Sequence, residues 1–259
     1  MSHDPESAIA PAPSPEVIRE LAPTGELRAA INLGNPVLAQ KDSATGALRG
    51  VSVDLAHELG RRLGVGVRLV TFDAAGKVFA ALAESACDVA FLARDPDRAR
   101  EILFTAPYVI IEGTYLVREG APFRAVEDLD RPAVRIAVGR GAAYDLFLSR
   151  TLKHAELVRS ETSSAAVELF LQAGLDAAAG VKNSLVAHAR SLPGVRVIEG
   201  RFTVIEQAMG TPRERAVAGN YLQAFIEELK GNGFIAGALE RSGQRDAVVA
   251  PPWALEVGV

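Results

Sequence analysis

A cluster of charged residues follows an apolar segment in "VAFLARDPDRAR". The segment 89–93 is typical of a buried strand, and Arg94, Asp95, Arg98 and Arg100 follow it closely. An arginine at the end of such a strand presents a planar, charged fork that binds a carboxylate through two parallel hydrogen bonds. The alternative is a solvated helix start in which Arg98 pairs with Asp95. Composition by itself favours the second interpretation.

A glycine turn offers a second place for an anion. In "GRGAAYD" the turn follows a predicted strand at 134–138 and opens a predicted helix, so main-chain N–H groups at Gly141 and Ala142 and the helix dipole favour negative charge. Tyr144 stands where a dinucleotide-binding fingerprint has its third glycine, which makes the segment a poor match to that motif. Tyr144 either presents its phenol to a ligand or packs in the core.

Four further polar residues are candidates for a binding site. Asn32 and Asn35 follow the first predicted strand, where they either hydrogen-bond a polar ligand or form turns. Gln207 lies in a segment that returns from one half of the chain to the other, either in the cleft or in a hinge. Lys182 follows a predicted strand, where it either binds a second carboxylate or is a surface lysine.

No signature of a metal site or a catalytic nucleophile is present. The four histidines lack metal-ligand spacing, there is no Gly-x-Ser-x-Gly, and the single cysteine, Cys87, lies in an apolar strand, where a buried inert thiol is expected. One cysteine forms no intramolecular disulfide and does not identify the compartment. The net charge of −4 argues against a nucleic-acid partner. We therefore predict no metal and no cofactor.

The elements that would position these residues form two β-α-β modules. After an arm at 1–24 rich in Pro, Ala and Ser, "ELRAAINLG", "VGVRLVTF" and "CDVAFLA" predict strands, and the two segments between them predict helices, the first ending at Gly64. The pattern repeats from residue 134. Alternating strands and helices favour a parallel sheet. Ligands bind beyond the carboxyl ends of such strands, so a site between two lobes is expected.

Two segments are predicted to cross between the lobes. "YVIIEGTYLV" leads out of the first lobe and "FTVIEQAMG" leads back, an arrangement that permits hinge closure around a ligand. We predict a flexible arm at 1–24, a first lobe at 25–112 and 204–259, and a second lobe at 113–203. No apolar segment approaches the roughly 20 residues that a membrane span needs, so no membrane insertion is expected.

Four segments in this order resemble one family, the bacterial extracellular solute-binding proteins of polar amino-acid ABC transporters. They are "GALRGVSVDLAHELGRRLGV", "DVAFLARDPDRAREILFTAPY", "VEDLDRPAVRIAVGRGAAY" and "AGLDAA". The most diagnostic feature is Arg98 six residues before the Phe of Phe104-Thr-Ala-Pro-Tyr108. The resemblance covers roughly 27–243 and implies an α/β, two-lobed periplasmic-binding-protein-like type II fold.

The resemblance also implies roles for individual residues. Arg98 corresponds to the arginine that binds the ligand's carboxylate. The Ser or Thr that often follows the glycine turn is absent, since Ala142 and Ala143 stand there. The Asp that pairs with the ligand's ammonium is replaced by Val181. An unpaired buried ammonium is costly, so the ligand is expected to be a carboxylate other than a conventionally bound α-amino acid.

By resemblance, the protein is expected to be a monomer that serves an ABC importer in the periplasm. The sequence shows no secretory signal, and this leaves a cytoplasmic ligand sensor open as an alternative. A second alternative is an enzyme on the same scaffold resembling cyclohexadienyl dehydratase, with Lys182 or Glu112 in place of the missing acid at Val181. A third is the effector-binding lobe pair of a LysR-type regulator, which the ordered motifs fit less well.

Overall fold

The computed structural model describes residues 10–253. Within that range eight α-helices alternate with strands of one large curled sheet. The helices are α1 (Pro15–Leu21), α2 (Val51–Leu63), α3 (Ala75–Ala83), α4 (Ala143–Thr151), α5 (Ser163–Gln172), α6 (Lys182–Ser191), α7 (Ala216–Gly231) and α8 (Phe234–Arg241).

The strands follow the same chain order. They are β1 (Glu26–Asn32), β2 (Gln40–Lys41), β3 (Leu48–Arg49), β4 (Gly66–Phe72), β5 (Val89–Ala93), β6 (Ile102–Phe104), β7 (Val109–Arg118), β8 (Arg135–Gly139), β9 (Glu156–Ser160), β10 (Ala177–Val181), β11 (Val195–Val197), β12 (Thr203–Pro212) and β13 (Val248–Val249). Short 3₁₀ helices lie at Arg98–Arg100 and Val126–Leu129.

The sheet runs in the order β4-β1-β5-β12-β7-β10-β8-β9. In the first lobe β4, β1 and β5 are parallel, and in the second lobe β10, β8 and β9 are parallel. The predicted β-α-β modules are thus confirmed: α2 and α3 connect β1, β4 and β5 of the first lobe, and α4 and α5 connect β8, β9 and β10 of the second, through the crossovers that parallel strands require.

Strands β7 and β12 join the two lobes. They pair antiparallel with each other from Thr203↔Gly113 to Gln207↔Val109. At its far end β12 pairs with β5 of the first lobe, whereas β7 pairs with β10 of the second. The two predicted crossover segments therefore form adjacent strands, and rotation about them would move one lobe against the other.

The prediction of a flexible arm at 1–24 is wrong over 15–21, because the helix α1 forms there. Ser14 caps this helix by accepting a hydrogen bond from the Val17 N–H, and Val17 and Leu21 are buried in the main core. A carboxylate oxygen of Glu20 accepts from the Ala218 N–H at the start of α7. Residues 1–9 of the predicted arm lie outside the described residues.

Helix α6 is an element that sequence analysis missed. It begins directly after β10, with Val181 at its N-cap and no side-chain capping bond. Its sequence "KNSLVAHARS" buries only Leu185, so the apolar periodicity that identifies a helix is weak. This helix decides where Lys182 lies.

No helix within 10–253 is long and apolar enough to cross a bilayer.

Candidate ligand-binding site

A cavity between the lobes collects most of the candidate residues. Its lining comprises Asn32, Gly34, Asn35, Ala75, Leu92, Ala93, Arg98, Ala142, Ala143, Tyr144, Ser163, Val181, Ile205 and Gln207. The two lobes contribute opposite walls. The cavity volume is about 40 Å³, far below the roughly 300–1,000 Å³ of small-molecule sites. The lobes are therefore closed on each other, and a ligand would enter only after they separate.

Arg98 lines this cavity from the first lobe. It begins the 3₁₀ helix after β5 and is only 3% exposed. Its guanidinium donates to the Ala93 carbonyl at 3.0 Å and, across the cleft, to the Gly141 carbonyl at 2.7 Å. Burial lowers the pKa of Arg98 to about 10, partly opposed by the charge of Asp95. The side chain is still a cation at neutral pH.

The buried charge of Arg98 has no carboxylate in direct contact. Within the part of the chain that the structure describes, Arg98 forms no salt bridge, and both guanidinium partners are neutral carbonyls. The pairing of Arg98 with Asp95 that sequence analysis left open is not formed, because Asp95 pairs with Arg150 instead at 2.7 Å. Burying a cation in this way costs desolvation free energy unless an anion pairs with it.

The amides of Asn32, Asn35 and Gln207 line the same cavity and are largely buried. The Oδ1 atoms of the two asparagines accept from the Gly34 N–H at 3.0 Å and the Val37 N–H at 3.3 Å, so both residues form turns. Their Nδ2 groups donate to no other described residue, and neither does the Gln207 amide. These amides leave N–H donors available to a ligand.

The glycine turn of the second lobe lies opposite Arg98 but uses its main-chain donors internally. The Gly141 N–H donates to an Asp145 carboxylate oxygen at 2.8 Å, and the Ala142 N–H donates to the Gly139 carbonyl at 3.1 Å. The predicted anion site at these N–H groups is therefore not available in this geometry. Gly141 has φ +68° and presents its carbonyl to Arg98 instead.

Tyr144 is buried and lines the cavity with Ser163. The tyrosine hydroxyl donates to the Ser163 hydroxyl at 2.8 Å, and burial raises the pKa of the phenol, which stays neutral. Sequence analysis missed Ser163. Its signal was its place at the start of α5, directly beyond the carboxyl end of β9, where parallel sheets place ligand contacts.

Lys182 is not brought into this cavity. As the first residue of α6, it donates to Glu112 on β7 at 2.9 Å, and Arg201 contacts the same carboxylate, which lowers the pKa of Glu112. These residues line a separate groove of about 740 Å³ between α6 and the segment after α8. The alternative of a surface lysine describes Lys182 better than a second carboxylate contact.

No acidic side chain is among the described residues that line the Arg98 cavity. Val181 occupies the end of β10 on its wall, which also includes the apolar side chains of Ile205 and Leu92. The site thus combines one buried cation, several neutral donors and an apolar wall. This arrangement suits an anion.

Solved structures with the same architecture are numerous. A mutant of ArgBP from T. maritima is 23% identical and superimposes with a TM-score of 0.75, covering 88% of this chain and 99% of that one. A Streptococcus pneumoniae amino acid ABC transporter substrate-binding protein, AbpA bound to L-arginine, is 17% identical with a TM-score of 0.75 and coverages of 87% and 97%.

A third similar structure is an ancestral amino acid-binding protein, AncCDT-1, described as a precursor of cyclohexadienyl dehydratase. It is 22% identical, with a TM-score of 0.73, and covers 86% of this chain and 97% of that one. At these identities the likeness establishes the fold, which is the two-lobed type II periplasmic-binding-protein fold. No curated protein matches the chain significantly in sequence.

The sequence profile of one family matches most of the chain, over residues 27–243. The matched range contains both β-α-β modules, the strands that join the lobes, and every described residue that lines the cavity. The chain belongs to the bacterial extracellular solute-binding proteins, family 3.

Proposed function

We propose that this protein binds a small organic carboxylate between its lobes and delivers it to an ABC importer. One observation carries the proposal: Arg98 is a buried cation on the cavity wall whose direct partners are neutral carbonyls. A carboxylate bound to its fork would offset the desolvation of this charge. The free N–H groups of Asn32, Asn35 and Gln207 would then donate to the remaining oxygens of the ligand.

The cavity wall also argues against a conventionally bound α-amino acid. An ammonium needs a carboxylate or several acceptors, and the described lining contains no acidic side chain. Val181 stands where the resemblance places the ammonium's partner. Two of the similar structures were solved with L-arginine and with lysine bound, respectively, so we propose a change of ligand within a shared fold.

The transport role rests on the family and its relatives. The family is described as extracellular, and AbpA is an ABC transporter substrate-binding protein. The strands β7 and β12 supply the hinge that capture and release require. We propose that the protein acts as a monomer in the periplasm, with lobes at 25–112 with 204–259 and at 113–203.

A thermal-shift screen tests this proposal. We expect mono- or dicarboxylic acids to raise the melting temperature and arginine and lysine to leave it unchanged. A ligand at about 100 times its dissociation constant adds about 2.7 kcal/mol, which for a chain of this size corresponds to roughly 5–10 °C. Prephenate-like acids belong in the screen, and loss of such a compound on incubation would favour the dehydratase alternative. A shift with arginine or lysine and with no organic acid would contradict the proposed ligand class.

A substitution at Lys182 checks the boundary of the site. We expect Lys182→Ala to change the affinity for the identified carboxylate by less than about twofold, because the lysine pairs with Glu112 outside the cavity. Isothermal titration calorimetry measures this. A loss of tenfold or more would show that Lys182 reaches the ligand after all.

A further inference from the structure

One arginine of the second lobe reaches across the cleft to the loop that carries Arg98. Arg150, in the last turn of α4, donates to Asp95 at 2.7 Å and to Asp97 at 3.2 Å. Both aspartates belong to the first lobe, between β5 and the 3₁₀ helix of Arg98. The contact therefore exists only while the lobes are together.

Asp95 links this contact to the position of Arg98. Its Oδ1 accepts from the Asp97 N–H at 2.9 Å and its backbone carbonyl accepts from the Ala99 N–H at 2.9 Å, so it shapes the loop that presents Arg98. Its Oδ2 accepts from Arg150. The Asp95 side chain is 4% exposed, whereas that of Arg150 is 38% exposed. A charge-assisted bond to such a buried carboxylate is stronger than one on the surface.

We propose that Arg150 is a positioning residue that holds the lobes closed by pairing with Asp95 and Asp97, and that this pairing leaves Arg98 free to bind an anion. Asp95 lies three residues before Arg98, and its negative charge opposes the lowering of the Arg98 pKa by burial. In the closed state Arg150 neutralises Asp95, and a ligand carboxylate takes up the charge of Arg98. In the open state Asp95 loses Arg150 and compensates Arg98 instead.

Closure and binding are coupled through this exchange of partners. A ligand that pairs with Arg98 releases Asp95 for Arg150, and Arg150 in turn favours the closed lobes, as linkage requires. The Arg98 bond to the Gly141 carbonyl is a second contact across the cleft, and Asp145 of α4 holds the Gly141 turn in place. This coupling rests on the proposed binding role, whereas the effect of Arg150 on closure does not.

The test measures lobe separation without any ligand. Spin labels are placed on Ala80→Cys in the first lobe and Lys153→Cys in the second, two exposed positions, while the native Cys87 is buried. Pulsed electron spin resonance then gives the distance distribution. We expect Arg150→Ala to raise the ratio of open to closed molecules about fivefold or more, and Arg150→Lys to give an intermediate distribution, since it keeps the charge and loses the fork.

Salt supplies a readout that a purely structural role would not change. Raising the ionic strength from about 0.1 M to about 1 M shortens the Debye length from about 10 Å to about 3 Å. We expect this to widen the distances in the unsubstituted protein and to leave Arg150→Ala unchanged. Arg131→Ala is the matched control, because Arg131 pairs with Asp128 inside the second lobe. Thermal melts confirm that each variant is folded.

Two outcomes would overturn the proposal: coincident distance distributions for Arg150→Ala and the unsubstituted protein, or an equal salt response in both. Neither outcome bears on ligand binding itself, which the Arg98 variants test separately. Conversely, if the protein binds no carboxylate but its lobes open in Arg150→Ala, the role of Arg150 in closure stands and only the proposed binding function is refuted.

Discussion

Arg98→Ala is expected to abolish binding of the carboxylate that the screen identifies. The guanidinium is the only charge on the described cavity wall and it is almost fully buried. Removing one partner of a buried hydrogen-bonded charge pair costs about 2–5 kcal/mol of binding free energy, or roughly 30-fold to several thousandfold in affinity. Isothermal titration calorimetry at the same salt concentration for both proteins measures the loss.

Stability should be affected far less than affinity. The substitution removes two hydrogen bonds to carbonyls, and it also removes a desolvated cation that has no acidic partner in direct contact. These contributions oppose each other, so we expect the ligand-free melting temperature to change little. A large fall would instead identify Arg98 as a structural residue.

Two variants bracket the result. Arg98→Lys keeps the charge and loses the bidentate fork, so an intermediate affinity is expected. Arg100→Ala removes a neighbouring arginine that pairs with Asp97 and whose side chain is 80% exposed. We expect the affinity of this variant for the carboxylate to stay within about twofold of that of the unsubstituted protein. Equal affinities for Arg98→Ala and Arg100→Ala would refute the proposed role of Arg98.

Val181→Asp is expected to give the protein measurable affinity for arginine or lysine, a gain of about tenfold or more. The new carboxylate would lie on the cavity wall, where the resemblance places the ammonium's partner. A charge-assisted pair with the ammonium would offset its desolvation. The same charge should weaken binding of the organic acid, because like charges repel. Calorimetry with both ligand classes measures the two opposite changes.

The backbone at this position makes the experiment sharper. Val181 is the N-cap of α6, with φ −68°, ψ 127° and no side-chain cap, and Asp and Asn are both favoured at an N-cap. Val181→Asn is therefore a matched control that supplies the cap without the charge. We expect it to leave amino-acid binding undetectable. If Val181→Asn gained amino-acid affinity as large as that of Val181→Asp, polarity rather than charge would explain the effect.

The sequence by itself determined the modular architecture. Apolar strands alternate with amphipathic helices such as α2, and this alternation was sufficient to predict parallel modules and their connecting strands, because local burial patterns follow the period of each element. The motif around Arg98 and Phe104 likewise identified the family. Helices α1 and α6 escaped prediction: the Pro-rich composition around α1 resembles a loose arm, and α6 buries a single leucine.

Only the tertiary structure decided which charges share a site. The motif distinguished Arg98 from its neighbours, but spacing along the chain could not show that Arg150, 55 residues from Asp95, would become the partner of that aspartate. Lys182 points away from the cavity because α6 begins at that residue, and Ser163 enters it because α5 begins beside β8 and β9. Ion pairs depend on distances and burial in space, and those are set by how the two lobes close on each other.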